Sequence, residues 1–347
     1  MARSKITDGD VVRHINSDST LVIGGSGGGL VEPTLLIRSL AEYYQHTGQP
    51  RNLTIMHSSG LGDNKEAGLG YLAQEGLIGR VIGGHWGMSP KMVELAQTNR
   101  IEAYNLPQGV ISQLYREIAA KRPGLITTVG LDTFVDPRLE GGRLNTVTTE
   151  DLVKLIRIDD REYLYYPAIR TDYAFLRGTT ADEDGNISME KEGAFLENLA
   201  IAQAVRNCGG TVIVQVERVV KTGSLKAKEI KIPGILVDYV VMDPDQAQTC
   251  VTKYNPGYSG EYKVPEASLS PMQLSHRKVI ARRAALELAP GCVNNLGVGM
   301  ADGVAHVAAE EGIYNQLDFV IEQGLIGGIP APGVEFGAAL NPDAMID

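Results

Sequence analysis

Cysteine is scarce in this chain of 347 residues: Cys208, Cys250 and Cys292 lie far apart, with no CxxC spacing. They offer no disulfide framework or paired-cysteine redox motif, and the plainest reading is reduced, buried thiols in a cytoplasmic protein. Positive charge is also short. The chain carries 32 lysines and arginines against 42 acidic residues, a formal net charge of -10, whereas a nucleic-acid binder carries a basic excess. An anionic ligand must therefore be held by local donors. No apolar run approaches the roughly 20 residues that span a bilayer, and Met1-Ala2-Arg3-Ser4-Lys5 lacks an apolar signal segment. The expectation is a soluble, cytoplasmic protein that binds neither membrane nor nucleic acid. The six histidines are dispersed without HxH or HExxH spacing, so no metal centre is expected.

Glycine, by contrast, is abundant, and its 40 copies are clustered. Clusters of this kind mark tight turns and close backbone approaches. Between them, short β-rich runs at 20–25, 52–57, 80–84, 101–105 and 125–129 alternate with amphipathic stretches such as Leu35-Leu36-Leu40-Tyr43-Tyr44. A second series follows, with strands at 173–177, 211–216 and 235–242 and a helix over 194–207 that stops at Cys208-Gly209-Gly210. The alternation predicts an α/β fold, an open and largely parallel sheet with flanking helices, over residues 1–254.

Residues 255–269 read as an aperiodic linker. Beyond it, Ser270-Pro271 offers an N-cap and a first-turn proline for a helix reaching about Leu288. A strand at 292–298, a helix at 301–311 and a strand at 317–322 follow. Residues 270–347 are thus expected to form the first part of a second, similar α/β domain.

Several segments can carry chemistry. Gly24-Gly25-Ser26-Gly27-Gly28-Gly29 follows a strand and precedes a helix, yet a dinucleotide loop would need glycine where Leu30 stands, and no GxxxxGK(S/T) occurs. What remains is backbone open to a small anion such as a carboxylate; a plain strand–helix turn would use the same glycines. Gln108, in Asn105-Leu106-Pro107-Gln108-Gly109, can present its amide at a strand's C-terminal end, where α/β sheets bind ligands; a simple turn fits as well. His85, beside Trp86, reads as packing or pocket lining. The basic stretch Arg218, Lys221, Lys226, Lys228 and Lys231 reads as a solvated face. Asn294-Asn295-Leu296-Gly297 and Ile321-Glu322-Gln323-Gly324-Leu325-Ile326-Gly327-Gly328 both end strands in glycine-rich turns. Gly324, Gly327 and Gly328 leave room beside Glu322 for a bulky ligand.

Taken in order, these motifs resemble those of the family I CoA-transferases, in the single-chain branch of acetate and propionate CoA-transferases. The markers are Gly25-Ser26-Gly27-Gly28-Gly29, Gly60-Leu61-Gly62-Asp63, Leu72-Ala73-Gln74-Glu75-Gly76, Gly84-His85-Trp86-Gly87, Tyr104-Asn105-Leu106-Pro107-Gln108-Gly109, Thr133-Phe134-Val135-Asp136-Pro137-Arg138 and Asn295-Leu296-Gly297-Val298-Gly299.

The resemblance implies a short-chain acyl-CoA:carboxylate CoA-transferase in which Glu322 is the nucleophile. It further implies that Gln108 and Asn295 line the active site and that Gly27, Gly28 and Gly29 approach the acyl group. Gly324, Gly327 and Gly328 would lie against CoA. Coenzyme A and acyl-CoA enter as substrates, with no permanently bound cofactor and no metal. A homo-oligomer is expected. So is a further C-terminal half of the enzyme, as continuation or separate chain, covering apolar surface left open on residues 270–347. An acyl-CoA hydrolase on the same scaffold and a non-catalytic subunit are the alternatives.

Overall fold

The computed structural model describes residues 5–265 and 270–346. Eight strands form one sheet in the order Ile6–Thr7, Tyr239–Met242, Thr211–Val216, Tyr173–Arg177, Thr20–Ile23, Leu53–His57, Ile78–Gly83 and Glu102–Asn105. Every neighbouring pair is parallel. Side chains alternate across the sheet, and both faces are apolar. Val22, Met56, Ile82 and Val214 enter one core, with the helices Gln108–Ala119 and Asn198–Asn207. Leu21, Ile23, Ile55, Val81 and Ile213 enter the other, with the helices Thr34–Thr47 and Pro90–Gln97. Double-sided burial explains why these strands read as near-continuous apolar runs. The expected α/β class, a parallel sheet between helices, is what forms.

Some segments depart from expectation. The run at 125–129 is not in the parallel series. Its strand, Gly124–Thr127, pairs antiparallel with Arg161–Pro167, which pairs in turn with Lys154–Ile158. The hairpin between the last two turns on Asp159 and Asp160, both at positive φ (47° and 62°), as a two-residue primed turn requires. The helix expected from Ser270 spans His276–Ala285 instead, because Ser275 supplies the cap: its hydroxyl accepts from the Lys278 amide. Of the expected linker, residues 266–269 lie outside the described residues. Nor are the cysteines buried; Cys250 and Cys292 are exposed and Cys208 is half-buried. Within the basic stretch, Arg218 pairs with Glu190 and Lys226 with Glu229.

The second unit is smaller. Its four-stranded sheet runs Val293–Asn295, Asp318–Ile321, Leu325–Ile326, Ala344–Met345, with the first pair parallel and the rest antiparallel. A third core joins this unit to the first: Phe319, Ile321, Leu325 and Phe336 pack with Leu30, Val31, Met189 and Tyr258. Among the described residues, no helix is long and apolar enough to cross a membrane.

Candidate active site

The strand order reverses direction between Thr20–Ile23 and Tyr173–Arg177. Ligand sites in such sheets form at the carboxyl ends of the strands around that switch point. Here a cavity of about 380 Å³ opens between the large sheet and the smaller unit, within the range of small-molecule sites. The sheet side contributes Ser26, Gly27, Ser59, Gly60, Asn64, His85, Met88 and Gln108. The smaller unit contributes Arg277, Val298, Gly299, Asp302, Glu322, Gln323, Gly333, Val334 and Phe336.

On the sheet side, two neighbouring strands each end in a turn, and the turns are tied together. The Ser26 and Ser59 hydroxyls lie 2.9 Å apart, and the Gly28 amide donates to the Gly62 carbonyl at 2.8 Å. Glycine is required at Gly28. Its φ is +70°, and an added Cβ would sit 2.1 Å from the Val334 carbonyl oxygen, across the boundary with the smaller unit. Val31, just beyond, is buried at φ +54°, an uncommon conformation for a β-branched residue. Behind Ser59 stands buried His57. Its Nδ1 lies 2.7 Å from the Ser59 carbonyl, which only accepts, so Nδ1 carries the proton and donates. Burial pulls the His57 pKa down to about 4, so the ring is neutral at pH 7.

On the opposite side, Glu322 follows the strand Asp318–Ile321 and opens a short hairpin to Leu325–Ile326. Gly324 closes the loop at φ +84°, its amide donating to the Ile321 carbonyl at 3.1 Å. This three-residue connection with a left-handed glycine pushes Glu322 out at the strand tip, where it is exposed on the cavity wall. Gln323 reaches back across the cavity: its Nε2 donates to the Ser26 hydroxyl at 3.5 Å. Gln108 is the first residue of the helix Gln108–Ala119. Gly84 makes room for it, since a Cβ there would lie 2.6 Å from Gln108 Cγ.

The cavity thus brings together Glu322, Gln108 and Gly27. It does not include Asn295, which is exposed at the end of the strand Val293–Asn295. Gly28 packs behind the lining, and Gly29 faces a second cavity on the far side of the turn. Gly324, Gly327 and Gly328 line neither cavity. Added Cβ atoms there would meet the Ile346 carbonyl, the Asp343 carboxylate and the Leu340 carbonyl, so these glycines serve close packing within the small unit. Sequence reasoning missed Ser59, Asn64, Met88 and Gln323 as wall residues. The Gly60-Leu61-Gly62-Asp63 segment was the available signal for the first two, as a glycine-rich turn directly after a strand. Among the described residues, no group of three His, Cys, Asp or Glu side chains is placed to hold a metal ion.

Comparisons with known proteins show the family and the fold. The profile of the Coenzyme A transferase family matches residues 7–243. The chain is 48% identical to an acetate CoA-transferase, YdiF, of Escherichia coli over 97% of its own length and 64% of that protein's. It is 47% identical to a caffeate CoA-transferase of Acetobacterium woodii over 94% of its length and 63% of that protein's. A crystal structure of the Escherichia coli YdiF acyl-CoA transferase, as a thioester complex with CoA, superposes with a TM-score of 0.93 at 46% identity. That match covers 99% of this chain and 65% of the other. The chain therefore spans a little under two thirds of the length of these relatives.

Proposed function

The chain belongs to the coenzyme A transferase family, and from that premise we propose that it moves CoA between short carboxylic acids, with Glu322 as the covalent carrier. The observation that carries this reading is that Glu322, exposed at a strand tip, shares one cavity with Gly27 and Gln108. A carboxylate nucleophile needs both freedom to reach a carbonyl and donors nearby for the oxyanion that forms.

The cycle balances without an external proton, oxidant or metal. The Glu322 carboxylate attacks the acyl-CoA carbonyl, the carbon–sulfur bond breaks, and CoA thiolate leaves behind an acyl-glutamyl anhydride. The thiolate then attacks the glutamyl carbonyl and expels the first carboxylate, giving a glutamyl-CoA thioester. A second carboxylate attacks that thioester, regenerating an anhydride and thiolate. Thiolate attack on the new acyl carbon releases the new acyl-CoA and free Glu322. Each attack passes through an oxyanion, and we assign its stabilisation to the Gln108 amide and the Gly27 backbone, each donor worth about 3 kcal/mol. The similarity to an acetate CoA-transferase makes acetate the first acceptor to test.

We also assign a cover to the apolar surface of the smaller unit. Leu274, Leu286 and Val293 are exposed by 82%, 75% and 68%, and Val293–Asn295 is an edge strand. Such a surface is a docking face. The occupant in this reading is the remainder of the second domain, corresponding to the additional length of the relatives. The test is CoA exchange from propionyl-CoA with and without acetate. Acetate-dependent formation of acetyl-CoA supports the transferase; release of free CoA that needs no acceptor marks a hydrolase and contradicts it.

A further inference from the structure

We propose that Glu32, braced by Arg177, is a positioning residue for the transfer reaction: from behind, it fixes the separation of the two turns that form the sheet side of the active-site cavity. The inference rests on the reading of that cavity given above. Glu32 does not line the cavity of Glu322; it faces a second one, of about 270 Å³, behind the glycine turn.

Three cross-links run from front to back between the segment at 24–32 and the turn at 58–63. The Ser26–Ser59 hydroxyl pair is at the front, and the Gly28 amide to Gly62 carbonyl bond is in the middle. At the rear, the Gly62 amide donates to Glu32 Oε2 at 2.7 Å, while Thr34 Oγ1 donates to Oε1 at 3.3 Å. Gly62 is thus held through both its amide and its carbonyl. Glu32 is buried, and space around it is tight: an added Cβ on Gly25 would lie 2.9 Å from its Cα, and one on Gly68 would lie 2.7 Å from Oε2.

Arg177 grips the same turn from the neighbouring strand at the switch point. Its Nη1 donates to the carbonyls of Gly29 and Glu32, each at 3.3 Å, and Nη2 donates to Ala247 at 2.7 Å. Its Nε donates to the buried Glu192 carboxylate at 3.0 Å. The two Nη1 contacts bracket Val31, whose left-handed backbone would relax if nothing held it. A turn that carries strain and also wall residues needs such a clamp, since displacement of catalytic groups by about 1 Å can cost 100-fold in rate.

The test compares Glu32→Gln, which keeps an acceptor for the Gly62 amide, with Glu32→Leu, which fills the space without one. In the native protein, we expect Glu32→Leu to lower kcat for acyl-CoA:acetate exchange about 10- to 100-fold, with KM for acyl-CoA within about twofold. Glu32→Gln should stay within about threefold in both. If Glu32→Leu does not fold, Thr34→Val, which loses the hydroxyl contacts to Glu32 Oε1 and to the Glu32 carbonyl, must lower kcat at least about threefold at unchanged KM. Wild-type kcat in the leucine variant overturns the proposal, as does equal loss in the glutamine and leucine variants. If Thr34→Val is the variant used, unchanged kcat overturns it too. An inactive wild type would instead sink the transferase reading itself.

Discussion

The two sides of the cavity are built in different ways. The sheet side stands on Thr20–Ile23 and Leu53–His57, strands flanked by neighbours on both sides and buried on both faces. Its turns are cross-linked at Ser26–Ser59, Gly28–Gly62 and Glu32–Gly62. The other side carries Glu322 on a hairpin of two residue pairs in a small sheet with an unpaired edge. Its side chains reach across the cavity through the 3.5 Å contact from Gln323 to Ser26. Ile321 and Leu325 anchor this hairpin in the third core, while Glu322 at its tip is exposed. In the proposed cycle the cross-linked side receives the acyl group, and the exposed tip carries a carboxylate that bonds in turn to the first acyl group, to CoA and to the second acyl group.

The most direct way to break this contrast is to remove the proposed nucleophile. Glu322→Gln should lower exchange on the order of 10⁴-fold with an unchanged unfolding transition, since the side chain is exposed; residual activity within tenfold of wild type would contradict its role. Next comes Gln108→Leu, expected to cost roughly 100-fold in kcat, measured in the same assay. Asn295→Ala sharpens the comparison from the other direction. Because Asn295 lies outside the cavity, its kcat should stay within about twofold of wild type.

Gly28→Ala acts at the boundary between the two sides. The new methyl group meets the Val334 carbonyl and adopts a left-handed backbone, at a cost of about 1–3 kcal/mol. Urea unfolding should show that loss together with reduced turnover. The smallest effect is a pH dependence of stability. Burial raises Glu32 from 4.5 to about 7, against the opposing Gly62 amide, Thr34 hydroxyl and Arg177 charge, with Asp63 adding to the rise. The folded state therefore binds this proton more tightly than the unfolded chain. The contribution is fully present below about pH 4.5 and is lost as pH rises through about 7. Wild type should lose stability relative to Glu32→Gln across that window, and parallel pH profiles would contradict it.

Much of the sheet side was legible in the chain, because double-sided burial writes apolar runs and glycine-rich turns directly into the sequence. The strand at Gly124–Thr127 was legible as a strand but not as an antiparallel one, since composition says nothing about a partner 40 residues away; the Asp159-Asp160 turn was the overlooked cue. Glu322 was legible only through the ordered motif set. As a single glutamate at a turn it looks solvated, and it is indeed exposed. Asn295 looked equivalent to Gln108 by motif, yet one sits on an exposed edge strand and the other at a helix start facing the cavity. Glu32 was invisible, because a carboxylate beside Pro33 gives no sign of burial until the neighbouring turn closes over it.

The central claim is that Glu322 carries CoA. Incubating the active protein with propionyl-CoA, quenching, and sequencing its peptides by mass spectrometry tests this directly. The account requires the mass of CoA on the peptide containing Glu322, removable by acetate; active protein whose Glu322 peptide stays unmodified while another carboxylate carries CoA would contradict it.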